Sequence, residues 1–230
     1  MSYFDYGYFK YSNKNIKKFD PKKERTKLSD KRGIINRIKA NEFDKEFYDG
    51  DRINGYGGFK YDGRWKVFLK KIIHKYKLNK NSKVLDIGCK KGFFLKDLQD
   101  MIPGISIYGL EDHKYPIKNS MRQIKSHIEF IESFTSINFK KKHFDFVHAH
   151  NSIYIYNLRD IIKIIKKIEH ISKRSHITIP AYITDTERLK FLKWTLTGTT
   201  ILNEDEWKKM FKYIGYKGDY YFSGAKSFGL

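Results

Sequence analysis

The stretch Lys83-Val84-Leu85-Asp86-Ile87-Gly88-Cys89-Lys90-Lys91-Gly92-Phe93-Phe94-Leu95 constrains the fold more than any other part of the chain. Val84, Leu85 and Ile87 form a short apolar run of the kind that is buried as a strand. Gly88 and Gly92 allow a tight turn and leave the backbone open to a ligand. Phe94, Leu95, Leu98, Met101 and Ile102 then recur at helical spacing until Pro103-Gly104 stops the helix. A strand, a glycine turn and a helix make the first unit of a doubly wound α/β sheet. A small molecule is expected at the carboxyl end of that strand.

The chemistry of the turn narrows the ligand. A turn built to seat a pyrophosphate on a helix N-terminus would not carry a carboxylate just ahead of its glycines. Asp86 sits there, where it repels phosphate but pairs with an ammonium group. These residues resemble motif I of the class I S-adenosylmethionine (SAM)-dependent methyltransferases, usually Asp-x-Gly-x-Gly-x-Gly. Asp86, Gly88 and Gly92 match, and Lys90 stands where the middle glycine is usual. The resemblance implies a Rossmann-like, mostly parallel sheet flanked by helices, with SAM as cofactor. It places Asp86, Gly88, Cys89, Lys90 and Gly92 at the cofactor, with Cys89 a packing residue and not a nucleophile.

Two later segments extend the match. Ile105 to Leu110 reads as the second strand and ends in Glu111-Asp112, about 20 positions past the turn, where a carboxylate can accept both protons of a ribose diol. The resemblance assigns the ribose to Glu111, with Asp112 beside it. A third strand, His127 to Ile131, leads to Glu132, Ser133 and Phe134, the region that flanks adenine in the resembled family. Phe144-Asp145-Phe146-Val147-His148-Ala149-His150-Asn151 matches the Phe-Asp-x-Val start of that family's motif IV. Alternation puts His148 and His150 on one side of the strand. His150, nearer the cleft, is the candidate general base, and Asn151 is a candidate for orienting the acceptor. The His-x-His pair has no third ligand at a recognisable spacing, so no catalytic metal is expected.

Residues 1–45 form a basic arm with Tyr3, Phe4, Tyr6, Tyr8, Phe9 and Tyr11, expected to be poorly ordered up to a short helix near Ile34, Ile35 and Ile38. Residues 46–77 combine a Gly/Tyr-rich loop with a helix whose Trp65, Phe68, Leu69, Ile72, Ile73 and Tyr76 share one face. That loop resembles the lid of some bacterial small-molecule methyltransferases, which implies that Tyr56, Tyr61 and Arg64 face the ligands. The cofactor domain is expected over 78–230, with 181–202 an acceptor-site insertion and Tyr154 lining the acceptor pocket. Pro116 is expected in the first turn of a helix carrying Ile117, Met121 and Ile124. Asn203 and Glu206 form a capping box for the next helix. Tyr216 to Ser223 reads as strand six, with only Gly224 to Leu230 left for the antiparallel seventh strand usual in the family.

Lysine and arginine number 47 against 26 acidic residues, a formal charge of +21. Such a charge attracts phosphorylated molecules, nucleic acid or anionic membranes. Lysine dominates and the charge is spread along the chain, which suits solvated faces better than a binding stripe. Cys89 is the only cysteine, so there is no disulfide framework, and with no membrane span or signal segment a cytoplasmic location is expected. The combined reading is methyl transfer to oxygen or nitrogen of a small polar acceptor, a sugar or a phosphorylated intermediate of surface-polysaccharide synthesis. An RNA methyltransferase and a non-catalytic SAM-fold scaffold are the alternatives.

Overall fold

The computed structural model describes residues 1–9 and 21–230. Seven strands are present among the described residues: β1 (Lys83–Ile87), β2 (Ser106–Glu111), β3 (Ile128–Phe130), β4 (Phe146–His150), β5 (Ser175–Tyr182), β6 (Leu202–Asn203) and β7 (Asp219–Ser223). Their order is β3-β2-β1-β4-β5-β6, with β7 also paired to β5, and every pairing is parallel. The outer edge of β5 is shared: His176 to Pro180 pair with β7, and Ala181 and Tyr182 with β6. The chain winds outward from β1 to β3 and returns to lay β4 on the other side of β1. The crevice at the carboxyl ends of β1 and β4 is therefore the expected ligand position.

The helices are α1 (Pro21–Lys31), α2 (Ile34–Asn41), α3 (Lys45–Tyr48), α4 (Trp65–Tyr76), α5 (Phe93–Met101), α6 (Lys114–Lys118), α7 (Leu158–Ile171), α8 (Asp185–Trp194), α9 (Glu204–Ile214) and α10 (Ala225–Phe228). Strand alternation sorts the core into two clusters. Leu85, Ile87, Val147, Ala149, Ile177 and Ile179 pack with the buried faces of α7 and α9. Val84 and Phe146 pack with α4 and α5 through Phe68, Leu69, Leu95 and Leu98. Asp86, His148, His150, His176 and Thr178 share the parity of Val84 and Phe146, so the sheet's polar side chains gather on the α4/α5 face. α9 begins with the capping box that Asn203 and Glu206 predict: the Asn203 side chain accepts from the Asp205 N–H, and the Asn203 N–H donates to Glu206 at 2.8 Å.

Three expectations are corrected. Residues 1–9 are not a loose arm. Residues 2–4 run beside β7, with Phe4 N–H donating to Tyr220 O at 2.9 Å and Tyr220 N–H to Ser2 O at 3.0 Å. Tyr6 and Phe9 are buried at 3% and 7% exposure, and the apolar area they cover offsets the cost of ordering the segment. Tyr11 and the basic run around it lie outside the described residues. The expected short helix near Ile34, Ile35 and Ile38 is α2, with those three side chains exposed and Ala40 buried. The helix at Pro116 ends at Lys118, and Ile124 reaches the core from a turn instead. The strand expected from Tyr216 starts at Asp219 and is β7, and the final residues form α10, with Phe228 against Phe9 and Phe191.

Candidate active site

The glycine turn after β1 is fixed by its neighbours. Gly88 has φ +70°, and its N–H donates to Leu110 O at 2.8 Å. A Cβ on Gly88 would lie 2.2 Å from Ser152 Cβ, so glycine is required here for backbone and space alike. Lys90 adopts φ +55° at the position where glycine is usual, at a cost of about 1–2 kcal/mol. Its N–H donates to Glu111 Oε2 at 2.7 Å, which ties the turn to the end of β2. Burial opposes the charge of the Lys90 ammonium, but Tyr56, Glu111 and Asp86 raise its pKa, so it stays protonated. Lys91 serves as a clasp: its ammonium bonds both Asp49 oxygens at 2.7 Å and Phe59 O at 3.0 Å, holding the lid on the turn.

At the end of β2, Glu111 is 2% exposed and lies 3.1 Å from His113 Nδ1, which also contacts Asp112 at 2.7 Å. Burial alone would depress His113, yet Asp112 and Glu111 push its pKa from the ordinary 6.5 up to about 9. The raised value means His113 stabilises the fold fully below pH 6.5, and this contribution is lost as pH rises through about 9. Phe43 stacks on the imidazolium at 3.9 Å between ring centroids. The Tyr156 hydroxyl donates to Asp112 at 2.6 Å and accepts from the Phe134 N–H at 3.2 Å. Glu111, Asp112 and His113 are the one group among the described residues whose ligand atoms lie close enough for a metal. Both acids contact His113 Nδ1, so the three form one close ion cluster.

Across the crevice, Asp86 and His148 form a buried pair at 2.8 Å. His148 stacks on Phe94 at 4.2 Å, and His150 lies near the rings of Tyr8 and Trp65. His150 Nδ1 is 2.5 Å from the Tyr6 hydroxyl. Burial, with His148, Lys90 and His176 nearby, lowers the His150 pKa well below its ordinary value, so it is neutral at physiological pH. Asn151 follows with φ +46°, its N–H on Thr178 O at 2.9 Å and its Oδ1 accepting from Ser223 Oγ at 2.9 Å. Such a non-glycine φ at the end of a central strand is the kind of strain that collects at functional sites.

Sequence comparison places this architecture. The model of the methionine biosynthesis protein MetW family matches residues 69–208, from within α4 into α9 and so through β1 to β6. The chain belongs to the MetW family. A search of curated protein sequences returns no match. Among solved structures, the chain is similar to one from the complex between the Trm112 methyltransferase activator of Haloferax volcanii and its methyltransferase. That match has 20% identity and TM-score 0.50 over 67% of this chain and 73% of the other. It is likewise similar to a methyltransferase of Bacillus halodurans C-125, with 14% identity and TM-score 0.51 over 64% and 68%. The fold is thus the class I SAM-dependent methyltransferase fold expected from the sequence.

In this MetW-family chain most of the expected site residues meet around two spaces that share Gly88, Lys90, Asn151 and Tyr154 as walls. A cavity of about 390 Å³ is lined by Asp86, Gly88, Cys89, Lys90, His150 and Asn151, with Tyr56, Arg64 and Tyr154 on other walls. A smaller one of about 40 Å³ adjoins it, bounded by Gly88, Lys90, Glu111, Asp112, Phe134 and the lid. Four expected residues stand elsewhere. Glu132 is exposed, and Ser133 caps a 3-10 turn by accepting from Thr135 N–H at 3.2 Å. Tyr61 turns to α5, donating to the buried Asp97 at 2.5 Å, because that carboxylate needs a donor. Gly92 lines neither space; it starts α5 with φ +77° against Ile124. Sequence reasoning missed Tyr8, Arg25, Arg32, Arg52 and Trp194 on the larger cavity. The arginines sit in segments without apolar periodicity, so no pattern marked them.

Proposed function

We propose that this MetW-family chain is a SAM-dependent methyltransferase acting on oxygen or nitrogen of a small polar, anionic acceptor. The observation that carries the reading is the buried Glu111 carboxylate, bonded to the glycine turn and opening onto the space that continues to His150. The donor set fits the cofactor. Two carboxylates flank the turn, Glu111 for a ribose diol and Asp86 toward an amino-acid end, while Phe134 offers an apolar flank for adenine. Asp86 already pairs with His148, so its negative charge is shared between that ring and the cavity. The smaller cavity has room for a few waters and not for a nucleoside, so Phe43 and Tyr56 must shift to admit one. SAM, when bound, supplies an electrophilic methyl group.

The chain's own task is alignment and proton handling, and alignment alone can supply about 7–11 kcal/mol. His150, neutral and at the cavity wall, accepts the proton of an acceptor hydroxyl. The anionic character of the acceptor follows from charge. Lys90, Arg25, Arg32, Arg52 and Arg64 line the larger cavity. Its acids are Asp62, bonded to Arg64, and Asp86, bonded to His148. The Lys90 ammonium makes no hydrogen bond or close ion pair among the described residues, though Glu111 and Asp86 act on it from further off. Arg32 and Arg52 bond to backbone carbonyls and to no carboxylate. A phosphate or carboxylate would complete these groups, and the rings of Tyr8, Trp65 and Trp194 suit the apolar face of a sugar.

The test is methyl transfer from labelled SAM to phosphorylated sugars and small carboxylates beside their uncharged counterparts. Incorporation is expected with the anionic members alone. Lys90→Met should raise the acceptor KM by about 10–100-fold, the worth of one charged hydrogen bond. SAM affinity is measured beside it, because Lys90 also borders the cofactor space and a loss there must be told apart from a loss of acceptor binding. Equal use of uncharged acceptors, or an unchanged KM, would remove the anionic acceptor.

A further inference from the structure

We propose that Tyr6 is a positioning residue for His150: a hydrogen-bond chain from Asp86 through His148 and Tyr6 keeps the proton of His150 on Nδ1 and leaves Nε2 as the acceptor. This rests on the reading of His150 as the group that takes the acceptor's proton. The argument begins at Asp86, whose carboxylate can only accept, so His148 Nδ1 donates to it at 2.8 Å. Where that proton is the ring's only one, Nε2 is an acceptor, on a side chain with 0% exposure. Its one hydrogen-bond partner among the described residues is the Tyr6 hydroxyl at 3.5 Å. Tyr6 has a single proton, and giving it to His148 leaves its oxygen to accept from His150 Nδ1 at 2.5 Å. Thr178 Oγ1, at 3.3 Å, can donate to the remaining lone pair.

The reverse arrangement sends the Tyr6 proton to His150. That leaves a buried acceptor on His148 unsatisfied, at about 1–3 kcal/mol, and puts the proton of His150 on Nε2 where it cannot act as a base. His150 Nε2 has no hydrogen bond among the described residues, and the ring borders the larger cavity. The chain therefore ends on a free lone pair at the cavity. Tyr6 is held for this role by β7 through residues 2–4, and by its ring against His176 at 5.0 Å and Trp65 at 6.1 Å. A segment at the start of the chain thus completes a site otherwise built from β1, β4 and β5.

Nitrogen-15 NMR of the imidazoles reads the tautomer without an acceptor or any turnover. Native protein at neutral pH should show His150 protonated on Nδ1 alone. Tyr6→Phe, which keeps the ring and removes the hydroxyl, should shift His150 toward the Nε2-protonated form. It should lower kcat by roughly 10–100-fold, within the worth of general-base catalysis, with SAM affinity and acceptor KM nearly unchanged. Native His150 protonated on Nε2, or on both nitrogens, would overturn the proposal. So would a Tyr6→Phe variant with native tautomer and rate. His150→Ala separates the two readings: full turnover there removes the base, while the tautomer result still decides the role of Tyr6.

Discussion

Glu111→Gln is expected to weaken SAM binding by roughly one to two orders of magnitude while leaving the fold in place. The carboxylate is 2% exposed, so any hydrogen bond it makes to a ligand is formed away from competing water. Two hydroxyl donors to a charged acceptor are worth about 1.5–3 kcal/mol each, and the neutral amide retains only part of that. At about 1.4 kcal/mol per tenfold, losing half of the total gives the stated effect. Glutamine keeps an oxygen for the Lys90 N–H, now 2.7 Å away, so the turn should survive. Calorimetric titration with S-adenosylhomocysteine, alongside thermal melting, checks both halves. An unchanged affinity would mean that the buried acid serves only the His113 cluster.

Gly88→Ala is expected to cost about 2–5 kcal/mol of stability, combining left-handed backbone strain with overpacking. For a chain of this size that lowers the melting temperature by roughly 5–15 °C. The added Cβ meets Ser152 Cβ at 2.2 Å and Ser152 Oγ at 2.9 Å. Ser152 cannot simply turn aside, because its hydroxyl donates to Ile87 O at 2.7 Å and its side chain is buried. Combining Gly88→Ala with Ser152→Gly should recover the steric share and leave the backbone share. The double variant should thus be more stable than the two single costs predict, by about 1 kcal/mol or more. Strict additivity in chemical unfolding would place the strain somewhere other than this contact.

Much of this molecule is legible where local pattern and tertiary role coincide. The apolar run of β1 with its glycines, the acid closing β2 and the Phe-Asp-x-Val strand each follow from spacing, as does the buried face of α4. The Asn203 and Glu206 box likewise needs only residues three apart. What sequence does not show is who partners whom across long separations. Asp86 reads as a ligand for an ammonium, and its bond to His148 spans 62 positions. Tyr61 reads as a lid residue facing a ligand, but a buried acid on α5 claims its hydroxyl. Aromatics interleaved with basic residues, as at Tyr6 and Phe9, suit stacking on single-stranded nucleic acid or, more often, clamping a tail onto its own domain. Both are buried in the domain, so that face is not offered to bases.

The lid shows the same limit from another side. Its Gly/Tyr composition marks a structured loop, but nothing in the pattern reveals that Lys91 reaches back from the turn to hold Asp49. Nor does it reveal that Tyr115 adds a bond to the same carboxylate at 2.9 Å. Phe43, Tyr48 and Tyr56 line the smaller cavity beside these contacts.

The most direct test of the account is calorimetric titration of the native protein with SAM and S-adenosylhomocysteine. The account predicts saturable, micromolar binding of both at one site per chain, despite Lys90 in the glycine turn. No binding at millimolar ligand would contradict it: Lys90 would then close the turn to the cofactor, and the fold would serve as a non-catalytic scaffold.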